Sequence, residues 1–227
     1  MYSVMFELNN YSAIIFDCDG VILNSNQIKT EAFKSVASQF GAKPAQLLVD
    51  FHIKNGGISR YKKFEHLLSD ILAKEIIQSE IDDLAGQFSE YVYQELLTCP
   101  VASGLETLRK TTSSAKWFIV SGGDQKELRR AFSARGISDY FDGGIFGSPE
   151  NKDEILANLI KDDQLQQPSL FVGDSRYDYE AAKLAGLDFI FIYEWSEFSD
   201  WKIFCVKNNI RSVRSVEDVI NHFSLYK

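Results

Sequence analysis

The sequence predicts an α/β protein: a doubly wound parallel sheet carrying an inserted α-helical subdomain. Three observations lead there. Short apolar runs end in turn residues and give way to helical periodicity, the alternation that builds parallel sheets with helices on both faces. Right-handed crossovers between such strands make the sheet doubly wound. One long interval, 26–99, departs from this rhythm and shows helical patterns alone.

In chain order, "AIIF" (13–16) is a buried strand running into "DCDGV". "NQIKTEAFKSVASQF" (26–40), "RYKKFEHLLSDILAKEI" (60–76) and "SEIDDLAGQFSEYVYQELL" (79–97) then read as helices with no strand among them. A crossover in an α/β sheet needs far less chain than this. Residues 26–99 are therefore expected to form a helical cap subdomain, and 1–25 with 100–227 the α/β core. In that core "KWFIV" (116–120) leads into "SGGD", and "SLFV" (169–172) into "GDSRYD". "DFIFIY" (188–193) is a further strand, rich in aromatic and β-branched residues. Helical spacing marks "QKELRRAFSARG" (125–136), "DEILANLIKD" (153–162) and "YDYEAAKLAG" (177–186), two of which close on a glycine suited to a C-cap. Beyond Trp195 a helix, the short strand "IRSV" and a last helix "VEDVINHF" are expected.

Bulk properties narrow the function. With 227 residues, 45% of them hydrophobic, the chain can bury a sizeable core. Its 24 Lys and Arg stand against 32 acids, a net charge of −8, which excludes a general nucleic-acid binder. An anionic partner must then be held locally, by a metal, a lysine or backbone N–H groups. Three cysteines, an odd number without framework spacing, fit a reducing compartment. The start "MYSVMFELNN" lacks a signal-peptide pattern, and no run approaches the roughly 18 apolar residues of a membrane span. A cytoplasmic setting is expected, with neither nucleic acid nor membrane as partner.

Ligands of open parallel sheets bind at the carboxyl ends of the strands. There the loops supply Asp17 and Asp19, Ser121 with Gly122, Lys152, and Asp174 with Asp178. Asp17 and Asp19 are two apart in extended chain, so they face one way and Cys18 another. One carboxylate can attack phosphorus and the other can shuttle the proton, while their repulsion spreads their pKa values. Asp174 and Asp178 are one helical turn apart, and with Asp17 they form a hard-oxygen cage suited to Mg²⁺. Ser121 and the Gly122–Gly123 backbone can bind an oxyanion where a strand meets a helix, and Lys152 can hold phosphate. Each motif has a plainer reading alone: strand-end polar residues, helix N-terminal acids, a turn serine, a solvated lysine. An EF-hand reading of "DCDGVILNSNQI" fails, because Ile28 stands where the bidentate Glu belongs.

"FDCDGV", "VSGG", the lysine after "GSPEN" and "VGDSRYDYEAA" together resemble the four motifs of the haloacid dehalogenase superfamily, in order. The resemblance spans nearly the whole chain and implies a Rossmann-like core with a helical cap. It implies Asp17 as nucleophile and Asp19 as acid/base, and Ser121, Gly122 and Lys152 as phosphoryl binders. Mg²⁺ would be held by Asp17, the Asp19 carbonyl and Asp174, with Asp178 in support. Asp19 favours phosphate esters over halide or phosphonate chemistry, which other members perform with another residue there. The cap segment "GGISRYKKFEHLL" is similar to that of sugar-phosphate mutases and related phosphatases, and implies that Arg60 meets the distal end of the substrate. The mutases carry a cap lysine where Gln87 falls here; Asp153 and Asn24 also depart from the common pattern. The leading expectation is a Mg²⁺-dependent phosphatase acting on a small phosphorylated metabolite through an aspartyl-phosphate. A sugar-phosphate mutase is the alternative, and a phospho-receiver module, half as long and without a cap, the remote one.

Overall fold

The computed structural model describes residues 7–224. Met1–Phe6, part of the segment read above for a signal peptide, lies outside the described residues. A six-stranded parallel sheet has the order β3-β2-β1-β4-β5-β6. Its strands are β1 (Ala13–Phe16), β2 (Lys116–Asp124), β3 (Gly144–Ser148), β4 (Ser169–Gly173), β5 (Asp188–Ile192) and β6 (Arg211–Val213). β1 is central, in register with β2 through Ile15↔Phe118 and with β4 through Ile15↔Phe171. Because side chains alternate across a strand, Ile14, Phe16, Trp117, Ile119, Leu170 and Val172 pack into one apolar cluster. Ala13, Ile15, Phe118, Val120 and Phe171 pack into the other. Helices cover both faces: α5 (Leu105–Thr111), α6 (Gln125–Ala134) and α10 (Val216–Ser224) on the first, α7 (Lys152–Lys161) and α8 (Arg176–Leu184) on the second. α9 (Trp201–Asn208) precedes β6.

Between β1 and α5 lie α1 (Asn26–Ala37), α2 (Ala42–Lys54), α3 (Arg60–His66) and α4 (Gln78–Leu96). They share an aromatic centre, with the Phe33 ring tilted against Phe88 at 4.4 Å and against Phe64 at 5.5 Å. The chain leaves and returns side by side. Asn24 N–H donates to the Pro100 carbonyl at 2.9 Å, and Ala102 N–H to that of Ile22 at 2.8 Å.

Four elements differ from expectation, the short α5 among them, for which no helix was read. β3 was not anticipated, because Gly143, Gly144 and Gly147 leave "GGIFGS" little β-propensity. α2 was also missed; its Pro44 lies in the first turn, where a missing N–H costs nothing. The helix expected over 60–76 ends early: a π turn, Leu67–Ile71, follows α3, and Ala73 adopts φ +52°. The expected C-caps do form, with Gly136 at φ +66° and Gly186 at +70°. The segment beyond Trp195 folds as the helix, strand and helix expected.

Candidate active site

The strand order reverses between β1 and β4, so the ends of these two strands border the natural crevice. Asp17 follows β1 and Asp174 follows β4. One oxygen each of Asp17, Asp174 and Asp178 lies within 4.8 Å of the others, and all three residues are buried. Lys152 is wholly buried beside them, its Nζ 2.9 Å from Asp17 Oδ2 and in contact with Asp178 Oδ1. Local structure fixes each part. Lys152 opens α7, whose start is set by a capping box of Asn151 and Glu154. Asp178 belongs to the capping box of α8, where its Oδ2 accepts from Ser175 N–H at 3.0 Å and Ser175 Oγ at 2.7 Å. Asn26 Nδ2 donates to Asp174 Oδ2 at 2.8 Å and to the Trp195 carbonyl at 2.9 Å.

Asp19 keeps different company. Lys29 Nζ lies 2.5 Å from its Oδ2, and Ser25 Oγ donates to Oδ1 at 2.6 Å. Burial is the largest influence on Asp17; Lys152 opposes it, Asp178 and Asp19 add to it, and the carboxyl rises to about 7. Burial also lifts Asp174 well above the carboxylate range, with Asp178 and Asp17 adding to it. At Asp19 burial acts the same way, but the Lys29 charge and the hydrogen bonds from Lys29 and Ser25 outweigh it and hold the carboxyl below its usual value. Repulsion from Asp19 does raise Asp17, as expected, but burial is the larger influence there, and the two acids part mainly because Lys29 and Ser25 pull Asp19 down. Burial, reinforced by Asp19, keeps the Cys18 thiol protonated and inert.

Ser121 is buried inside β2, where the register against β3 shifts between Val120 and Asp124. Its Oγ accepts from Gly123 N–H at 3.1 Å, so that N–H is not aimed at an oxyanion as expected. Gly122 lines the site, with its carbonyl accepting from Ser148 Oγ at 2.8 Å.

Over the acids lies a cavity of about 160 Å³, roofed by α1–α3. Arg60 is in its wall, yet the guanidinium is occupied: it makes a two-pronged pair with Glu127 of α6, at 2.6 and 3.1 Å, and donates to Ser89 Oγ at 2.6 Å. The substrate contact expected of Arg60 is replaced by a buried bridge between α3 and α6. Gln87 is exposed on α4 and bonds Gln39, away from the cavity, whose lining lysines are the buried Lys29 and Lys63 and the exposed Lys54. Ser25, Asn26, Lys29 and Glu197 escaped the sequence reading. The available signal was the polar pair Asn26 and Lys29, one turn apart on the helix that follows the acidic motif.

The acids fit a divalent cation. Three buried carboxylates share a single cation, Lys152, which leaves negative charge uncompensated, and every ligand atom is a hard oxygen.

A family model described as haloacid dehalogenase-like hydrolase matches residues 14–192. The phosphorylated carbohydrates phosphatase of Thermotoga maritima is 24% identical over 187 residues, 79% of this chain and 83% of its own. The β-phosphoglucomutase of Clostridium difficile shares 18% identity at a TM-score of 0.69, covering 95% of this chain and 98% of its own. A hydrolase from Pseudomonas syringae gives 19% and 0.72, over 94% and 98%. At these identities the solved structures speak to the fold alone. Among the described residues, no helix is long and apolar enough to cross a membrane.

Proposed function

Since the chain belongs to the haloacid dehalogenase-like hydrolases, we propose that it hydrolyses small phosphate monoesters with Mg²⁺ and an aspartyl-phosphate at Asp17. The observation that carries this reading is the division of labour between two carboxylates, one buried and one partly exposed. Asp17 sits among the acids and against Lys152, whereas Asp19, two residues on, is held by Lys29 and Ser25. An Asp17 oxygen attacks phosphorus, the ester P–O bond breaks, and the leaving alkoxide takes a proton through Asp19, which must first leave the Lys29 and Ser25 contacts that hold it ionised. Water then attacks the acyl-phosphate, and its proton returns to Asp19. Lys152 steadies the transferring group and Asp178, while Ser121 and Gly122 border the phosphoryl site. Asp17, the Asp19 carbonyl, Asp174 and Asp178 would hold Mg²⁺, which when bound offsets the acids and polarises the phosphoryl oxygens.

Residues 26–99 act in this reading as a cap over the core of 1–25 and 100–227. The paired connections at 22–24 and 100–102 support that division. A phosphorylated carbohydrate is a fitting substrate, given the relative from Thermotoga maritima. The test is phosphate release over a metabolite panel, with Mg²⁺ and after its removal by a chelator. Release should need the ion and vanish in Asp17→Asn; release surviving that substitution would refute the assignment.

A further inference from the structure

Among the described residues, the deeply buried lysines and arginines have acids against them, with one exception. Lys29 lies 2.5 Å from Asp19, Lys152 2.9 Å from Asp17, and Arg60 2.6 Å from Glu127. Lys63, on α3, is 3% exposed, and no carboxylate among the described residues pairs with it. Its Nζ bonds His52 Nδ1 at 2.7 Å and lies 5.2 Å from the centre of the Phe33 ring. His52, on α2, is 7% exposed. With Nδ1 accepting from the lysine, its Nε2 carries the hydrogen, and that atom is buried without a hydrogen-bond partner. The nearest acid, Glu197, is 3.9 Å from Nε2 and is tied to Thr30 at 2.9 Å. Both side chains line the cavity that Asp17 and Asp174 floor.

A desolvated cation is costly unless an anion faces it, and so is a buried N–H with nothing to accept it. Both costs fall on the roof, opposite the acids at the strand ends. Burial, with Lys29 adding to it, already pulls the Lys63 ammonium down to about 7. Arg60 cannot answer the need, being filled by Glu127 and Ser89. We propose that Lys63 Nζ and His52 Nε2 form a subsite for an anion at the distal end of the substrate, a carboxylate or a second phosphate. The protein then prefers small phosphate esters with a second anion over neutral ones of the same length. This inference rests on the phosphatase reading and names its substrate class.

Three esters on one two-carbon frame test it, with the full chain and Mg²⁺: phosphoglycolate, ethylene glycol bisphosphate and 2-hydroxyethyl phosphate. At least one anionic ester should exceed the neutral one about tenfold or more in kcat/KM, as a charge-assisted hydrogen bond implies. The faster of the two identifies carboxylate or phosphate as the ligand. Lys63→Met, which replaces a buried charge by an apolar chain of similar length, should collapse that ratio, and Lys63→Arg should keep part of it. The wild-type ratio is informative even if a variant fails to fold. Equal rates on anionic and neutral esters, or a ratio unmoved by Lys63→Met, would overturn the subsite alone. Hydrolysis of none of the three while other phosphate esters are turned over overturns it too. Failure to release phosphate from any ester overturns the phosphatase reading itself.

Discussion

Gly20 shows how little freedom single positions in the acidic motif have. Its φ of +76° is left-handed, and a Cβ there would lie 2.2 Å from Asp174 Oδ2 and 2.3 Å from Asn26 Nδ2. Gly20→Ala therefore combines a backbone cost of about 1–2 kcal/mol with displacement of Asp174. A modest fall in Tm and a far larger fall in phosphate release are expected, measured by calorimetry and by steady-state assay. Wild-type turnover in this variant would show that the position of Asp174 does not matter. Asp17, Asp19, Asp174 and Asp178 were readable in the sequence because the first three follow strand ends and the last lies in the first turn of the next helix, each within a short recognisable string. Ser25, Asn26, Lys29 and Glu197 were not, because their importance comes from where the chain returns. Nothing local to Glu197 says that it will face His52.

At the scale of elements, the buried pair of Arg60 and Glu127 joins α3, in the roof, to α6, on the sheet. Removing one partner strands a desolvated charge, so Glu127→Ala alone should cost about 3–5 kcal/mol if the roof stays closed. If the roof opens instead, water rescues Arg60, stability falls less, and activity falls more. A double-mutant cycle with Arg60→Met, read by denaturant unfolding, measures the coupling; strictly additive effects would mean that the bridge holds nothing. The elements themselves were unevenly legible. Strands rich in Ile, Val and Phe announced themselves, whereas β3 hid behind three glycines and α2 behind Pro44. The periodicity of 60–76 continued past the true helix end, since it does not register that Ala73 turns left-handed and closes the π turn.

For the whole molecule the decisive contact is where roof meets sheet. The Gly57 carbonyl rests on Gly122, so close that a Cβ on Gly122 would sit 2.2 Å from its oxygen. Gly122 is not among the residues with positive φ, so alanine there strains no backbone; the clash is wholly between the two layers. On the cap reading proposed above, the paired connections at 22–24 and 100–102 would let the roof lift and relieve it. Gly122→Ala should then keep its Tm within about 3 °C of wild type, since the sheet packs as before. Its kcat should fall by about two orders of magnitude, the cost of holding reacting groups slightly out of place and wet. The segment 55–59 should become more open to proteases, because in the closed form Gly56 and Gly57 lie against Ser175 and Tyr177. Full turnover in this variant would mean that the roof need not seat on Gly122 for reaction. A large loss of Tm would instead mean that roof and sheet form one rigid unit with no cap to lift.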